Sequence, residues 1–220
     1  MDIIAWVHAN CKFAMPAPSS AQQTQTFYHG TPDEQAGQQI LQQGLVIPPE
    51  EKAMQKGFMR PVAGKVYLTP SIQYALIYAL GGDMAGHQLR PEWITKSRYG
   101  YVFQINGADL QDVQPDEDSV GELLYHKNAP YWLQNMAERR VAPNRLKKLL
   151  DGEYAYFASV GKQLLRVMSP AQKAELMTLG GHVAHTGPTK PSAAWRVDRS
   201  RSQEFARDGS NFFQIAEKVL

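Results

Sequence analysis

The sequence predicts an α+β fold, which combines short strand-like runs with helical patterns. Two strand-turn-helix units carry this prediction, one starting at Phe27 and the other at Val66. A third observation is the run Tyr99–Ile105, whose β-branched and aromatic residues are typical of a strand. From about residue 123 to residue 179 the pattern is mostly helical. We therefore expect residues 27–220 to form the main domain, with residues 1–26 as an N-terminal helix and linker.

The first unit is a strand, Phe27–Thr31, that runs into a helix. Thr31 is predicted to be the N-cap, with Pro32 at the first helical position and Glu34 completing a capping box. The helix is predicted to stop at Gly44, since glycine commonly ends a helix in the left-handed conformation.

The second unit is a strand, Val66–Thr69, followed by a helix that Thr69 and Pro70 are predicted to open. One face of this helix is apolar. That stripe consists of Ile72, Ala75, Leu76, Ala79 and Leu80. Tyr74, Tyr78 and Ser71 lie on the opposite face. The two tyrosines either face a ligand or pack under a neighbouring loop.

Composition describes a globular chain without naming its activity. The chain has 220 residues, of which 43% are hydrophobic, and its net charge of +2 is too small to indicate nucleic-acid binding by itself. The single cysteine, Cys11, excludes an internal disulfide framework and favours a reducing compartment, so a cytoplasmic location is expected. The sequence has no apolar run of membrane-spanning length, and no membrane partner is expected. The apolar start at Ile3 and Ile4 lacks a basic n-region, which favours an amphipathic helix over a signal peptide.

The order of these motifs resembles the ADP-ribosyltransferase superfamily. The features are a strand ending in His29-Gly30-Thr31, a helix ending in Gly-Leu, and a second strand carrying Tyr67 before a tyrosine-bearing helix. The closer likeness is to the diphtheria-toxin and poly(ADP-ribose)-polymerase-like branch, whose signature is His, Tyr and Glu on three strands. It covers residues 27–80 well and the rest loosely. The resemblance implies a split antiparallel β-sheet around an NAD cleft, with helical additions at both ends.

The resemblance also implies roles for individual residues. His29 would bond the adenosine ribose of NAD, the backbone of Gly30 would hold the nicotinamide amide, and Tyr67 would stack on the nicotinamide ring. Tyr78 stands where a second aromatic residue of the family closes over nicotinamide. Thr31 and Ser71 are the further candidates for contact with NAD.

Other candidates for ligand contact lie in polar segments. Arg60, just before the tyrosine strand, either meets the pyrophosphate of NAD or is a solvated loop arginine. His87 lies in a turn-rich segment with no second histidine or carboxylate pair at metal spacing, so no metal site is expected.

The family's glutamate is the hardest residue to place. No glutamate of this sequence lies in an evident strand, which departs from the family pattern. Glu122 and then Glu117, both in an acidic run after the Tyr99 strand, are the preferred candidates, and Glu153 is a third. The alternative is that the run merely starts a helix, since Ser119 and Glu122 fit a capping box.

The last third of the chain carries weaker patterns. A basic cluster either contacts nucleic-acid phosphates or forms a solvated helix face. It comprises Arg139, Arg140, Arg145, Lys147 and Lys148. Residues 182–195 are predicted to form a late strand and turn at a sheet edge, and the aromatic tail after Phe205 a closing helix.

The resemblance implies an enzyme that transfers ADP-ribose from NAD to an unknown acceptor, which is a protein or a nucleic acid. Hydrolysis of NAD is the same reaction without the acceptor. A non-catalytic module that binds a nucleotide or a partner is the alternative from another class. An NAD-dependent RNA 2′-phosphotransferase is a further alternative within the superfamily, although the basic residues that it needs around its phosphate cannot be placed here.

Overall fold

The computed structural model describes residues 26–46, 64–81, 97–110, 113–117, 165–166, 168–170, 173, 177, 183–206 and 209–220. These residues fall into two compact units. The main unit holds the described residues of 20–47, 66–112 and 185–220, and the minor unit holds those of 48–65 and 113–184. Both contain antiparallel strand pairs, and the main unit also contains short helices, as an α+β fold requires.

A four-stranded antiparallel sheet forms the centre of the main unit. Its strands are β1 (Thr26–Thr31), β3 (Tyr99–Asn106), β6 (Ala193–Asp198) and β7 (Glu217–Lys218), in that spatial order. β1 pairs with β3 from Thr26 opposite Asn106 to Thr31 opposite Tyr101. The strand β2 (Val66–Leu68) is not a member of this sheet. The predicted strands at Phe27, Val66 and Tyr99 are thus confirmed.

One face of the sheet packs on helix α1 (Glu34–Gln43), and we call it the α1 face. Side chains alternate between the faces of a strand, so Thr31, Tyr101 and Phe103 share this one. Gly37 of α1 lies so close to Tyr101 that a Cβ there would come within 2.1 Å of the ring. Gln38 donates a hydrogen bond to the Tyr101 hydroxyl at 2.6 Å.

The other face packs on helix α2 (Ile72–Ala79), and we call it the α2 face. Its core contains Val102 and Trp195 from the sheet, with Ala75, Leu76 and Ala79 from the helix. The helix backbone approaches two strand glycines closely. A Cβ on Gly30 would lie 2.0 Å from the Ala75 carbonyl oxygen, and one on Gly100 would lie 2.0 Å from that of Ala79. The apolar stripe predicted for this helix is therefore confirmed as its sheet-facing side.

Both helices begin later than predicted. Asp33, not Thr31, is the N-cap of α1, and its side chain accepts from the Ala36 N–H at 3.0 Å. Ser71, not Thr69, is the N-cap of α2. The threonines instead form the turn before each helix, accepting from the backbone N–H two residues on, Asp33 at 3.3 Å and Ser71 at 3.1 Å. A threonine-proline pair thus marks a turn as readily as a helix start.

Helix α1 ends where the sequence predicts it. Gly44 is its C-cap, has a φ of +82°, and donates its N–H to the Ile40 carbonyl at 2.8 Å. The next residue, Leu45, is buried and exchanges two backbone hydrogen bonds with Thr189. The helix end is therefore tied to the chain segment before β6.

The late part of the chain differs from its prediction. A strand does form at Val183–His185 within the predicted residues 182–195, and a further strand, β6, follows inside the four-stranded sheet between β3 and β7. The aromatic tail is not one closing helix. It consists of a 3-10 helix (Arg199–Glu204), the short helix α3 (Phe212–Ile215) and β7. Phe205 and Phe212 join the core of the α2 face, which explains the apolar content of the tail.

The minor unit is described over fewer residues. Its strand β4 (Gln114–Pro115) pairs antiparallel with β5 (Val183–His185), with Gln114 opposite Ala184. Lys65 forms an ion pair with Glu117, whose side chain is buried. The predicted N-terminal helix and linker, apart from Thr26, lie outside the described residues. So do Arg60, Glu122, Glu153 and the whole basic cluster.

Candidate functional site

The strands β1 and β2 meet at a single bridge and then separate. Tyr28 and Thr69 exchange two backbone hydrogen bonds, at 2.7 and 2.9 Å, and this bridge is isolated. If the antiparallel register continued, Gly30 would pair with Tyr67. Among the described residues no such pair forms. The two backbones therefore stop pairing beyond Tyr28 and Thr69, and we call the region between Gly30 on β1 and Tyr67 on β2 the β1–β2 split.

The backbone of Gly30 faces this split. In an antiparallel ladder the N–H and C=O of a residue point to one side, and this side alternates along the strand. Those of Tyr28 bond Thr69 on the β2 side, so those of Gly30 also point toward β2. Gly30 thus presents one donor and one acceptor to the split. Its α-carbon is meanwhile pressed against the Ala75 carbonyl, which leaves no room for a side chain.

The ring of His29 bonds the backbone of β2. Its Nδ1 lies 3.0 Å from the Tyr67 carbonyl oxygen, which is the acceptor that a continued ladder would offer to the Gly30 N–H. A carbonyl can only accept, so Nδ1 carries the proton and Nε2 is left as an acceptor when the ring is neutral. The bond fixes both the tautomer and the direction of the ring.

Burial lowers the pKa of His29 from its ordinary value of 6.5, and the bond to the Tyr67 carbonyl opposes this only in part. The ring is therefore neutral at pH 7. Desolvation disfavours the imidazolium, while the carbonyl oxygen favours it. The result is a positioned neutral imidazole whose Nε2 can accept a hydrogen bond from a hydroxyl.

The tyrosines of the split are half-buried. Tyr67 follows Val66 at the middle of β2, between two buried residues. Tyr78 lies beside Gly30, since its Cβ would be 2.9 Å from a Cβ built on that glycine. Half-buried aromatic rings can stack on a flat ligand. The structure thus places Tyr78 beside Gly30 and the His29 ring against the Tyr67 backbone, with His29 on the α1 face and Gly30 on the α2 face of the sheet.

Thr31 and Ser71 are the other described residues that are predicted to contact NAD. Thr31 is buried and its hydroxyl accepts from the Asp33 N–H. Ser71 caps α2 without a side-chain hydrogen bond to the helix, and its N–H donates to the Thr69 hydroxyl. These two residues flank the turns that follow β1 and β2.

The carboxylate of the predicted His-Tyr-Glu set is not among the residues described at the split. Glu117 lies in the minor unit, where it is 3% exposed and ion-paired with Lys65. Most described carboxylates of the main unit accept hydrogen bonds or ion pairs from other groups. These are Asp33, Glu34, Asp198, Glu204 and Glu217. Asp198 is the strongest case, since the Arg98 guanidinium and Ser200 hold its pKa at about 2.

Sequence reasoning missed two residues around the split. Gly100, within the strand run Tyr99–Ile105, is the second glycine that the α2 backbone approaches closely. A glycine inside a strand often marks a place where another backbone comes close. Arg199 is 2% exposed, although it lies in an Arg-Ser-Arg-Ser run that reads as surface. No local pattern distinguishes a buried arginine from an exposed one.

Comparison with known proteins gives no relative: no family model, no curated protein and no solved structure matches this chain. Within the described ranges, no helix has the length and hydrophobicity needed to cross a membrane. The same ranges contain no group of three histidine, cysteine or acidic side chains placed to hold a metal ion.

The buried neutral state of His29 predicts a pH-dependent stability. Its folded-state pKa is below the unfolded value of 6.5, so the unfolded chain binds the proton more readily once the pH falls below 6.5. The His29 contribution is thus complete above that pH and is lost progressively below it. We expect the free energy of unfolding of the wild type to fall relative to His29→Gln between pH 7 and pH 5, with a limiting slope of about 1.4 kcal/mol per pH unit.

The measurement is urea unfolding of both proteins at several pH values. Glutamine keeps polarity and comparable length but does not titrate, so the other titrating groups cancel in the difference. A difference that stays constant over this range would mean that His29 is not desolvated.

Proposed function

We propose that this chain is an NAD-dependent mono-ADP-ribosyltransferase that binds the nicotinamide half of NAD in the β1–β2 split. The observation that carries the proposal is the Gly30 backbone, which turns one N–H and one C=O toward the split. The carboxamide of nicotinamide has the matching pair, an oxygen that accepts and a nitrogen that donates. A glycine is needed there because α2 leaves no space for a Cβ.

The neighbouring side chains support the same ligand. Tyr67 lies across the split from Gly30 in the strand register, so its ring can stack on the nicotinamide that Gly30 holds. Tyr78, beside Gly30, can close the opposite side of that ring. The Nε2 of neutral His29 can accept a hydrogen bond from a ribose hydroxyl, because Nδ1 is committed to the Tyr67 carbonyl.

The reaction breaks the bond between the ribose anomeric carbon and the ring nitrogen of nicotinamide. Nicotinamide leaves with the bonding electron pair, which neutralises its positive ring, and positive charge develops on the ribose. A carboxylate near that charge would stabilise the transition state. The acceptor nucleophile then forms the new bond to the anomeric carbon and loses its proton. We propose Glu122 for the carboxylate, with Glu153 next, because Glu117 is engaged by Lys65.

A second candidate is a module that binds a nucleotide without turning it over. One observation favours it: no described carboxylate of the main unit is shown at the split, and most of them have partners elsewhere. Binding alone needs only the Gly30 pair, His29 and Tyr67.

The two candidates separate on incubation with NAD labelled in the nicotinamide ring and, in a parallel reaction, in the adenine. A transferase releases labelled nicotinamide and moves the adenine label onto an acceptor in a cell extract. A glycohydrolase releases nicotinamide and leaves free ADP-ribose. A binding module retains intact NAD. Absence of any saturable NAD binding would reject the proposed function.

Tyr67→Ala tests the stacking contact. We expect NAD to bind about 2- to 12-fold more weakly, which corresponds to the 0.5–1.5 kcal/mol typical of an aromatic pair beyond its buried area. Isothermal titration of NAD measures the change. The matched control is Tyr99→Ala, since Tyr99 is equally half-buried but lies between the Arg98 and Arg196 guanidinium groups on the sheet. Equal NAD affinity in folded Tyr67→Ala would exclude Tyr67 from the site.

A further inference from the structure

A buried arginine ties together the chain segments that follow β1 and α2, the elements that carry Gly30 and Tyr78. Arg199 comes directly after β6, and its side chain is buried. Its Nη1 donates to the carbonyl oxygens of Pro32 at 3.3 Å and Ser97 at 2.9 Å. Its Nε donates to the Leu80 carbonyl at 3.3 Å.

The positions of these acceptors relate Arg199 to the site. Pro32 lies two residues after Gly30, and Leu80 lies two residues after Tyr78. Ser97 leads into β3, which pairs with β1 and packs against α2. The guanidinium of Arg199 therefore bonds three segments: the one just after β1, the one just after α2 and the one just before β3.

There is a physical reason for a positively charged side chain at this place. Leu80 is the C-cap of α2, where helix carbonyls point outward and carry partial negative charge. The carbonyl oxygens of Leu80, Pro32 and Ser97 converge on the guanidinium, at 2.9 to 3.3 Å. Carbonyl dipoles that converge in this way repel one another. A cation with several N–H groups in a fixed plane offsets this repulsion and sets the spacing between the segments.

We propose that Arg199 is a positioning residue of the β1–β2 split, which holds the Gly30 backbone and Tyr78 at the spacing that a nicotinamide ring requires. This proposal rests on the proposed function. Arg199 acts through the segments it joins and is not itself assigned a contact with NAD.

Arg199→Lys tests this, because lysine keeps the charge but cannot present a planar fork to separate carbonyls. We expect the dissociation constants of NAD and of nicotinamide to rise on the order of tenfold, since small displacements in a site have large effects. The dissociation constant of ADP-ribose, which lacks the nicotinamide ring, should change less than about twofold. A purely structural role would lower the melting temperature and leave the ratio of NAD to ADP-ribose affinity unchanged, and that result overturns the proposal.

The matched control is Arg201→Lys. Arg201 lies in the same 3-10 helix but is exposed and paired with Glu204. Its replacement should leave all three affinities as in the wild type. An equal loss in both variants would also overturn the proposal, because the effect would then belong to the helix and not to the buried guanidinium.

A measurement without ligand separates this proposal from the proposed function. In ¹⁵N–¹H spectra of the free protein, Arg199→Lys should shift the Gly30 and Tyr78 amide resonances and Arg201→Lys should not. If the wild type fails to bind NAD, the proposed function fails. Shifts of the Gly30 and Tyr78 resonances would still establish Arg199 as the link between β1 and α2. Unchanged resonances overturn that link.

The wild type provides a test that needs no variant to fold. Addition of nicotinamide should shift the side-chain Nε–H resonance of Arg199, because that group bonds the last carbonyl of the tyrosine-bearing helix. A resonance that stays in place at saturating nicotinamide overturns the proposal.

Discussion

Replacing Gly30 with alanine is expected to lower the free energy of unfolding by about 3 kcal/mol, at the upper end of what overpacking a core costs. The added Cβ would lie 2.0 Å from the Ala75 carbonyl oxygen and 2.8 Å from its carbon. These are backbone atoms of α2, so the helix as a whole must move away from β1. Urea unfolding, with the slope compared between variants, measures the loss.

The control for this prediction is Gly64→Ala. A Cβ at Gly64 meets no atom of the described residues within 4 Å, although its φ of +83° is unfavourable for alanine. We expect a loss of about 1 kcal/mol, the typical conformational cost of a left-handed residue. If Gly30→Ala cost no more than Gly64→Ala, the close approach of α2 to β1 would be wrong, and with it the reason for glycine at the split.

The second large effect separates two glutamates. Glu117→Gln is expected to cost about 3 kcal/mol of stability, because it leaves the largely buried Lys65 ammonium without its counter-charge. Glu122→Gln is expected to leave stability unchanged and to slow nicotinamide release about 10²- to 10³-fold, the usual cost of losing one stabilising group in a transition state. Chemical unfolding and a nicotinamide-release assay measure the two effects.

The double variant Lys65→Met with Glu117→Leu is the control for the structural role. It removes both charges together, and replacement of a buried pair by apolar side chains is often neutral. Most of the lost stability should therefore return. If instead Glu117→Gln abolished nicotinamide release without loss of stability, Glu117 would be the catalytic carboxylate and the assignment to Glu122 would fall.

The local elements of the main unit could be predicted from the sequence because their signals are local. The β-branched and aromatic run around Val102 specifies a strand, and Gly44 specifies a helix end at the residue where it occurs. The apolar stripe of α2 specifies which side of the helix is buried. It does not specify which part of the fold lies against that side. Only the packed unit shows that two strand glycines, Gly30 and Gly100, approach the helix closely.

The helix starts were predicted two residues too early for a related reason. Thr31 and Thr69 were predicted as N-caps because threonine before proline satisfies the pattern of a helix start. In the structure their hydroxyls accept hydrogen bonds within the preceding turns, and Asp33 and Ser71 take the N-cap positions. The two arrangements differ by two residues and use the same side-chain chemistry, so a sequence pattern does not separate them.

By itself the sequence determined the first three strands, the first two helices to within two residues of their starts, the apolar side of α2 and the residue types available for a site, because these depend on neighbours within a few positions. The tertiary structure alone decided the strand order, the placement of Tyr67 across from Gly30 and the burial of Arg199. His29 bonds a carbonyl 38 residues away, and Arg199 bonds one 167 residues away. Contacts over such separations leave no periodicity in the chain, since they depend on which strands pair and on where the β1–β2 ladder stops.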